Sequence, residues 1–323
     1  MTPQPIHGVV LEGTGGVWRV RTDAGDTIDA SLRGRLKKSD AGKRKDGSLR
    51  RDTVRSASET IKLAVGDDVM LEQSERGDDW AISEILPRRS ALARRAPGGG
   101  QGERIVAANV DQVVVMFAAA QPDPQLRMLD RFLIIAEGND LSARIIVNKI
   151  DLVEPGSAER QFRMYEEIGY PVHYTCVKKG IGIDALHAAL NDCRSVITGP
   201  SGVGKSSLLN AMFPGTGLRV GAISESVNKG RHTTVGALML PLPGARGYVI
   251  DTPGLREVGL WSLAPEHLDR CFPEIWALAP DCRYADCRHV SEPACAVRAG
   301  MSMGAVSAAR YDSYLRLLEE LGA

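Results

Sequence analysis

The chain has 323 residues, long enough for two or three domains that each bury a core. Lysine plus arginine and aspartate plus glutamate both number 40, so the whole molecule has no net field and attraction to a polyanion must come from a local patch. There is no run of apolar residues long enough to span a bilayer, and Met1 to Val10 lacks a basic region followed by an apolar one; this argues against a membrane partner or secretory leader and makes the cytoplasm the expected compartment.

Up to about Leu86, short β-like runs alternate with turn residues: Gly8 to Leu11, Val17 to Arg21, Thr27 to Ala30, Asp68 to Glu72 and Trp80 to Ile85. This pattern predicts a small antiparallel barrel over 1–86. Within it, residues 31–55 hold ten Lys and Arg (Arg33, Arg35, Lys37, Lys38, Lys43, Arg44, Lys45, Arg50, Arg51, Arg55) against three Asp (Asp40, Asp46, Asp52). Two readings of this insert stand side by side: a solvated loop, or a phosphate-seeking arm on a nucleic-acid-binding barrel. Residues 87–104, with Pro87, Arg88, Arg89, Arg94, Arg95 and the run Pro97 to Gly100, read as a flexible basic linker.

From 105 to 260, near-continuous apolar runs end in polar loops and alternate with helical patterns: Gln112 to Phe117, Arg127 to Glu137, Arg144 to Val147, Gln161 to Ile168, Pro171 to Tyr174 and Asp184 to Leu190. The rhythm continues through Ser195 to Thr198, a helix opening near Ser206, and strands at Ala237 to Leu240 and Tyr248 to Ile250. Strands buried on both faces read this way, which predicts a parallel α/β sheet. Beyond Leu260, residues 261–323 read as a helical domain with a cysteine cluster and a last helix near Ala305 to Leu321.

Asn148-Lys149-Ile150-Asp151 follows the expected strand Arg144 to Val147. The Asp151 carboxylate can accept the N1–H and N2–H₂ protons of guanine, donors that adenine lacks there. As a bare tetrapeptide the motif is weak; its placement after a strand and the presence of a phosphate loop strengthen it. Thr175-Cys176-Val177-Lys178 follows Pro171 to Tyr174 and is positioned to give a backbone contact to the guanine oxygen.

Gly199-Pro200-Ser201-Gly202-Val203-Gly204-Lys205-Ser206, with Ser207 adjoining, lies between an apolar strand and a helical stretch, the context a phosphate-binding loop requires. Its glycines let backbone N–H groups converge on a β-phosphate, Lys205 neutralises β and γ oxygens, and Ser206 can ligate magnesium. Further on, Lys229-Gly230-Arg231-His232-Thr233-Thr234 is a polar loop from which Thr234 can complete the magnesium shell; read alone, its threonines could equally be ordinary loop residues. Asp251-Thr252-Pro253-Gly254 follows a strand, so Asp251 can hold the magnesium through water and the Gly254 N–H can sense a γ-phosphate.

The guanine motif precedes the phosphate loop, the reverse of the order in most GTPases. A parallel sheet tolerates this, because every loop at its carboxyl edge opens on one crevice whichever strand comes first. GTP and GDP are the expected ligands of a circularly permuted GTPase domain. The residue after Gly254 is Leu255, which cannot align a water, so chemistry needs another polar group. His232 is the nearest candidate in sequence; a loop histidine that contacts RNA or solvent is the competing reading.

Cys282, Cys287, His289 and Cys295 have the spacing C-x4-C-x-H-x5-C, three thiolates and an imidazole for the closed shell of one structural zinc. Buried, reduced thiols are the alternative. Cys176, Cys193 and Cys271 stand apart and read as core residues.

Together these motifs resemble the RsgA (YjeQ) family of circularly permuted GTPases, and the resemblance spans most of the chain. It implies a multidomain protein with an N-terminal OB-fold β-barrel, a central permuted α/β P-loop GTPase domain and a C-terminal helical zinc-binding domain. It also implies GTP hydrolysis stimulated by the small ribosomal subunit, contact with its rRNA, and a role in late subunit maturation by a monomer. The match to Gly-x-His-Thr-Thr supports His232. Two departures stand out: the 31–55 insert is longer than usual for that barrel, and Thr175-Cys176-Val177 replaces the usual Ser-Ala. A GTP-dependent switch acting on another RNA or protein is the alternative function. A zinc-finger DNA-binding module fits less well, because a single finger is present and no base-reading helix is evident.

Overall fold

The computed structural model describes residues 4–33, 62–73, 79–95, 103–214, 237–244, 246–252 and 263–322. Five strands, β1 (Ile6–Thr14), β2 (Val17–Thr22), β3 (Thr27–Leu32), β4 (Asp68–Gln73) and β5 (Trp80–Ile85), close into a barrel in the order β1-β2-β3-β5-β4. Alternate residues point inward, so Val10, Val20, Ala30, Val69, Leu71 and Ile82 fill its interior. The barrel is not wholly antiparallel as expected: β3 and β5 pair in parallel. That pair closes the barrel between strands that are not consecutive, which no local turn signal in the sequence announces. Of the basic insert, Ser31 to Arg33 are described, and Arg33 pairs with Glu72; positions 34–55 lie outside the described residues.

The described parts of 87–104 depart from the flexible linker expected, while Pro97 to Gly100 lie outside the described residues. The segment supplies β6 (Ala91–Arg95), which pairs antiparallel with β7 (Glu103–Ala108), and Leu92 and Ala107 are buried in this ribbon. Arg88 donates to the buried Asp67 carboxylate at 2.6 and 2.8 Å and to the Lys62 carbonyl at 2.6 Å. These arginines look solvated in sequence because their acceptors lie far away along the chain.

The barrel docks at the amino-terminal end of the central sheet. Gly66 has φ +88°, and a Cβ there would sit 2.2 Å from the Ala108 carbonyl oxygen, so only glycine allows the approach. Arg194, the first residue of the sheet strand Arg194–Thr198, donates to Asp68 at 2.7 and 3.1 Å and to the Gly66 carbonyl at 2.9 Å.

The central sheet has the order β10-β9-β8-β11-β13-β12, built from β8 (Gln112–Ala118), β9 (Ser142–Asn148), β10 (Val172–Tyr174), β11 (Arg194–Thr198), β12 (Leu238–Pro241) and β13 (Tyr248–Asp251). It is parallel except at one edge, where β12 runs antiparallel to β13. β8 is buried along its whole length, as a strand covered on both faces must be. Val113, Val115 and Phe117 pack with α1 (Leu126–Glu137) and α2 (Ser157–Ile168); Val114 and Met116 pack with α3 (Ile183–Leu190) and α4 (Lys205–Met212). Among the described residues, no helix is long and apolar enough to cross a membrane.

The C-terminal part carries α5 (Pro273–Trp276), α6 (Ala296–Ser302) and α7 (Ala308–Glu320), with two short 3-10 turns before α5 and one after it. Its attachment to the sheet domain is polar at the centre. Arg310 of α7 is fully buried, donating to Asp130 of α1 at 2.9 Å and to Glu274 of α5 at 2.7 and 3.2 Å, with its guanidinium 4.5 Å from the centre of the Phe272 ring. Asp130 also accepts from Tyr165 at 2.8 Å and Ser313 at 2.5 Å. Burial and the nearby Asp130 carboxylate push the Tyr165 phenol above its ordinary range, so it stays a donor. Truncating Arg310 would leave both carboxylates buried without a cation, a loss of about 3–5 kcal/mol. Arg310→Ala is therefore expected to lower the denaturant midpoint sharply with little change in slope; a shift within the error of surface variants would contradict this network.

Candidate nucleotide and metal sites

Three loops at the carboxyl edge of the sheet meet above β8, β9 and β11. The loop after β11 must pass so close to its neighbours that side chains are excluded. Gly199 has φ +143°, and a Cβ would lie 2.0 Å from the Met116 carbonyl oxygen; at Gly204, with φ +105°, it would lie 2.4 Å from Asn148 Nδ2. Pro200, Ser201 and Gly202 form the outer turn and Val203 is buried beneath it. The turn delivers the chain into α4, and a helix start of this kind offers backbone N–H groups to an anion. Lys205 Nζ donates to the Gly199 carbonyl at 2.8 Å and the Pro200 carbonyl at 2.6 Å, which folds the ammonium over the loop. Ser206 is half-buried and Ser207 exposed on the first turn of α4.

Asn148, the last residue of β9, fastens this loop to the other two. Its amide donates to the Val203 carbonyl at 2.9 Å, and its Oδ1 accepts the Thr175 hydroxyl and the Val177 N–H, both at 3.2 Å. Lys149 adopts φ +60° and sends Nζ to the Gly202 carbonyl at 2.7 Å and to the Gln121 carbonyl. Ile150 opens a short 3-10 turn, Ile150–Leu152, that lifts Asp151 to the surface. The Asp151 Oδ1 accepts the Cys176 thiol at 3.0 Å. That hydrogen bond, helped by Lys179 and Lys178, holds the Asp151 carboxyl below its ordinary range, so it is an ionised acceptor facing outward.

Asp251 ends β13, opposite Ile197 in the neighbouring strand, and so stands beside the root of the phosphate-type loop. Burial raises its carboxyl above the usual range while the Lys205 ammonium pulls the other way. The adjoining Thr252 is buried, and its hydroxyl has no hydrogen-bond partner among the described residues. A carboxylate and hydroxyls at a desolvated helix start are an oxygen donor set that suits magnesium. His232, Thr234 and Gly254 lie outside the described residues.

The second site is in the C-terminal part. The ligand atoms of Cys282, Cys287, His289 and Cys295 all lie within 4.8 Å of one another, and all three cysteines are free thiols. The Cys282 and Cys295 sulfurs are each 3.5 Å from His289 Nδ1 and 3.9 Å from each other. A tetrahedral ion with bonds of about 2.0 to 2.3 Å needs ligand-to-ligand edges of roughly 3.5 to 3.8 Å, so the four atoms fit a metal. His289 is buried at φ +60°, with Nδ1 towards the sulfurs; its Nε2 lies 3.7 Å from Asp269 Oδ2, beyond hydrogen-bond reach, so the carboxylate is an electrostatic neighbour of the ring. The loop around it is tied down by Glu292, whose carboxylate accepts the N–H groups of Arg288, Val290 and Ser291 at 2.9, 2.9 and 3.0 Å. Tyr311 donates to the His289 carbonyl at 2.6 Å and Tyr314 to the Arg288 carbonyl at 2.9 Å, which docks the loop on α7.

The other cysteines differ from one another. Cys271 is a core residue, its thiol pushed up to about 12, chiefly by burial. Cys193 is half-buried just before β11, not a core residue as expected. Cys176 is buried but touches the Asp151 carboxylate, so packing is not its sole role. Sequence reasoning also missed Asp269 and the Gln121 carbonyl, which reach their partners from distant positions.

A family model described as RsgA GTPase matches residues 85–261. A protein from Gemmatimonas aurantiaca named small ribosomal subunit biogenesis GTPase RsgA is 52% identical over 315 residues, covering 97% of each chain. One of the same name from Shewanella oneidensis is 37% identical and covers 85% of this chain and 78% of its own. Among solved structures, YjeQ from Thermotoga maritima superposes with a TM-score of 0.77 at 30% identity, covering 98% of this chain and 99% of its own. YloQ, described as a circularly permuted GTPase, gives 0.73 at 27% identity, with 99% and 96% covered.

Proposed function

Because the chain belongs to the RsgA GTPase family and is a GTP hydrolase, we propose that it binds the small ribosomal subunit, assists its late maturation, and hydrolyses GTP to GDP and phosphate under stimulation by that subunit. The observation that carries the reading is the junction at Asn148, which ties residues 148–151, 175–177 and 199–206 into one crevice although the guanine-type motif comes first in the chain. It acts in the cytoplasm as a monomer. The barrel, within 1–86, and its basic insert meet rRNA; 105–260 bind and hydrolyse the nucleotide; 261–323 form the metal-stabilised domain.

In this reading the N–H groups of Gly199 and of Ser201 to Ser206, with Pro200 shaping the turn and with Lys205 and Ser207, hold the α, β and γ phosphates. Lys205 must leave the Gly199 and Pro200 carbonyls to meet them. Asp151 reads the base, with Asn148, Lys149 and Ile150 holding it in place. Magnesium bound with the nucleotide neutralises charge on the β and γ oxygens; Ser206 and Thr234 would hold it directly, Asp251 through water, while the Gly254 N–H senses the γ-phosphate. Zinc is the metal for Cys282, Cys287, His289 and Cys295, since four protein ligands close the shell and leave a folding role.

Co-sedimentation tests the partner: a non-hydrolysable GTP analogue should carry the protein down with small subunits and GDP should not, and equal retention on large subunits would refute the assignment. The reaction also needs a group to orient water, and Leu255 cannot serve. His232 takes that role. His232→Ala should leave GTP affinity within a few fold and lower single-turnover hydrolysis on saturating small subunits by about 10². An unchanged rate would remove His232 from the chemistry.

A further inference from the structure

We propose that Cys176 is the positioning residue for Asp151, so that recognition of the guanine 2-amino group by this chain depends on a thiol donor. The proposal rests on the reading of Asp151 as the base-reading carboxylate.

The thiol is held in place by backbone rather than by its own contact. Thr175 N–H donates to the Val147 carbonyl at 2.8 Å, and the Thr175 hydroxyl reaches Asn148. Cys176 then exchanges both backbone hydrogen bonds with Ile181, at 3.0 and 3.1 Å, and its carbonyl also accepts the Lys179 N–H at 3.0 Å. Gly182 closes this small loop at φ +75°, where a Cβ would lie 2.4 Å from the Tyr174 carbonyl oxygen. The Cα–Cβ direction at 176 is thereby fixed whichever side chain stands there, and it aims Sγ at Asp151 Oδ1, 3.0 Å away.

Asp151 itself is exposed, on the turn Ile150–Leu152. A carboxylate in that setting turns freely about its side-chain bonds, whereas accepting N1–H and N2–H₂ together needs one orientation of its plane. A fixed donor on Oδ1 selects that orientation before the base arrives, which removes an ordering penalty from binding. Burial, followed by the hydrogen bond to Asp151, raises the Cys176 thiol above its ordinary range, so it remains S–H and donates. The same burial makes it a poor nucleophile, which points to a positioning role and away from covalent chemistry.

The consequence separates positioning from packing. Inosine lacks the 2-amino group, so a carboxylate whose plane is no longer set loses more affinity for GTP than for ITP. A loop that is merely loosened weakens both alike. Competition of GTP and ITP against labelled GDP on the full chain gives the ratio of the two affinities. Cys176→Ala should cut the preference for GTP by about five- to tenfold, the scale of one ordinary hydrogen bond as suits a weak thiol donor, and Cys176→Ser should stay within about threefold of the parent. An unchanged ratio in Cys176→Ala, or a loss in Cys176→Ser as large as in Cys176→Ala, would overturn the proposal. Asp151→Asn tells the two levels apart. If it abolishes the preference while Cys176→Ala does not, Cys176 alone is wrong; if it leaves the ratio untouched, the reading of Asp151 fails, and the proposal with it.

Discussion

Asp151→Asn is expected to weaken GTP binding by about 10⁴-fold and to make xanthosine triphosphate the better ligand. The carboxylate stands outward from the turn after β9, kept ionised by the Cys176 thiol and the lysines at 178 and 179. Guanine offers two N–H donors to such an acceptor. An amide can accept only with its oxygen, so its N–H₂ would confront a guanine donor, and the loss is that of two charge-assisted hydrogen bonds plus an unpaired donor. Xanthine has a carbonyl where guanine has the amino group, and that carbonyl meets the amide N–H₂. Titration of the variant with both nucleotides checks the exchange; GTP affinity within tenfold of the parent would contradict the role given to Asp151.

Removing one metal ligand is expected to have the largest structural effect. The binding free energy of a structural metal is folding free energy, on the order of 10–16 kcal/mol for zinc held by such donors. The loop carrying His289 has no regular secondary structure and takes its shape from Glu292, Tyr311 and Tyr314, so the metal's contribution falls on that loop and the helices it joins. Cys295→Ser should lower retained zinc after dialysis from one per chain to near zero. It should also expose the amides of α6 and α7 to hydrogen exchange while β8 and β9 stay protected. A reduced parent chain that holds no metal, or a variant with unchanged protection, would contradict the zinc assignment.

The meeting of the Gly199 to Ser206 loop with the Asn148 to Asp151 turn was legible because each follows a strand, and a parallel sheet brings such loops together in any order. The cysteine cluster was legible because its ligands span a single short stretch. What escaped depends on distant partners. Arg88 and Arg89 suggest solvent until Asp67, Asn109 and Asp111 are seen beside them, so 87–104, which carries the strand Ala91–Arg95, looked like a linker. The parallel β3–β5 pair joins strands separated by a long insert. Cys176 looked like a core thiol because nothing along the chain marks Asp151 as its neighbour, and Asp269 is tied to His289 only by the fold.

The most direct test of the account is the rate of GTP hydrolysis by the purified chain, alone and with isolated small ribosomal subunits. A permuted GTPase that works on that subunit should be slow alone and accelerated by at least about tenfold when small subunits saturate it, with no such effect from large subunits. A rate indifferent to small subunits, in a preparation that binds GTP, would contradict it.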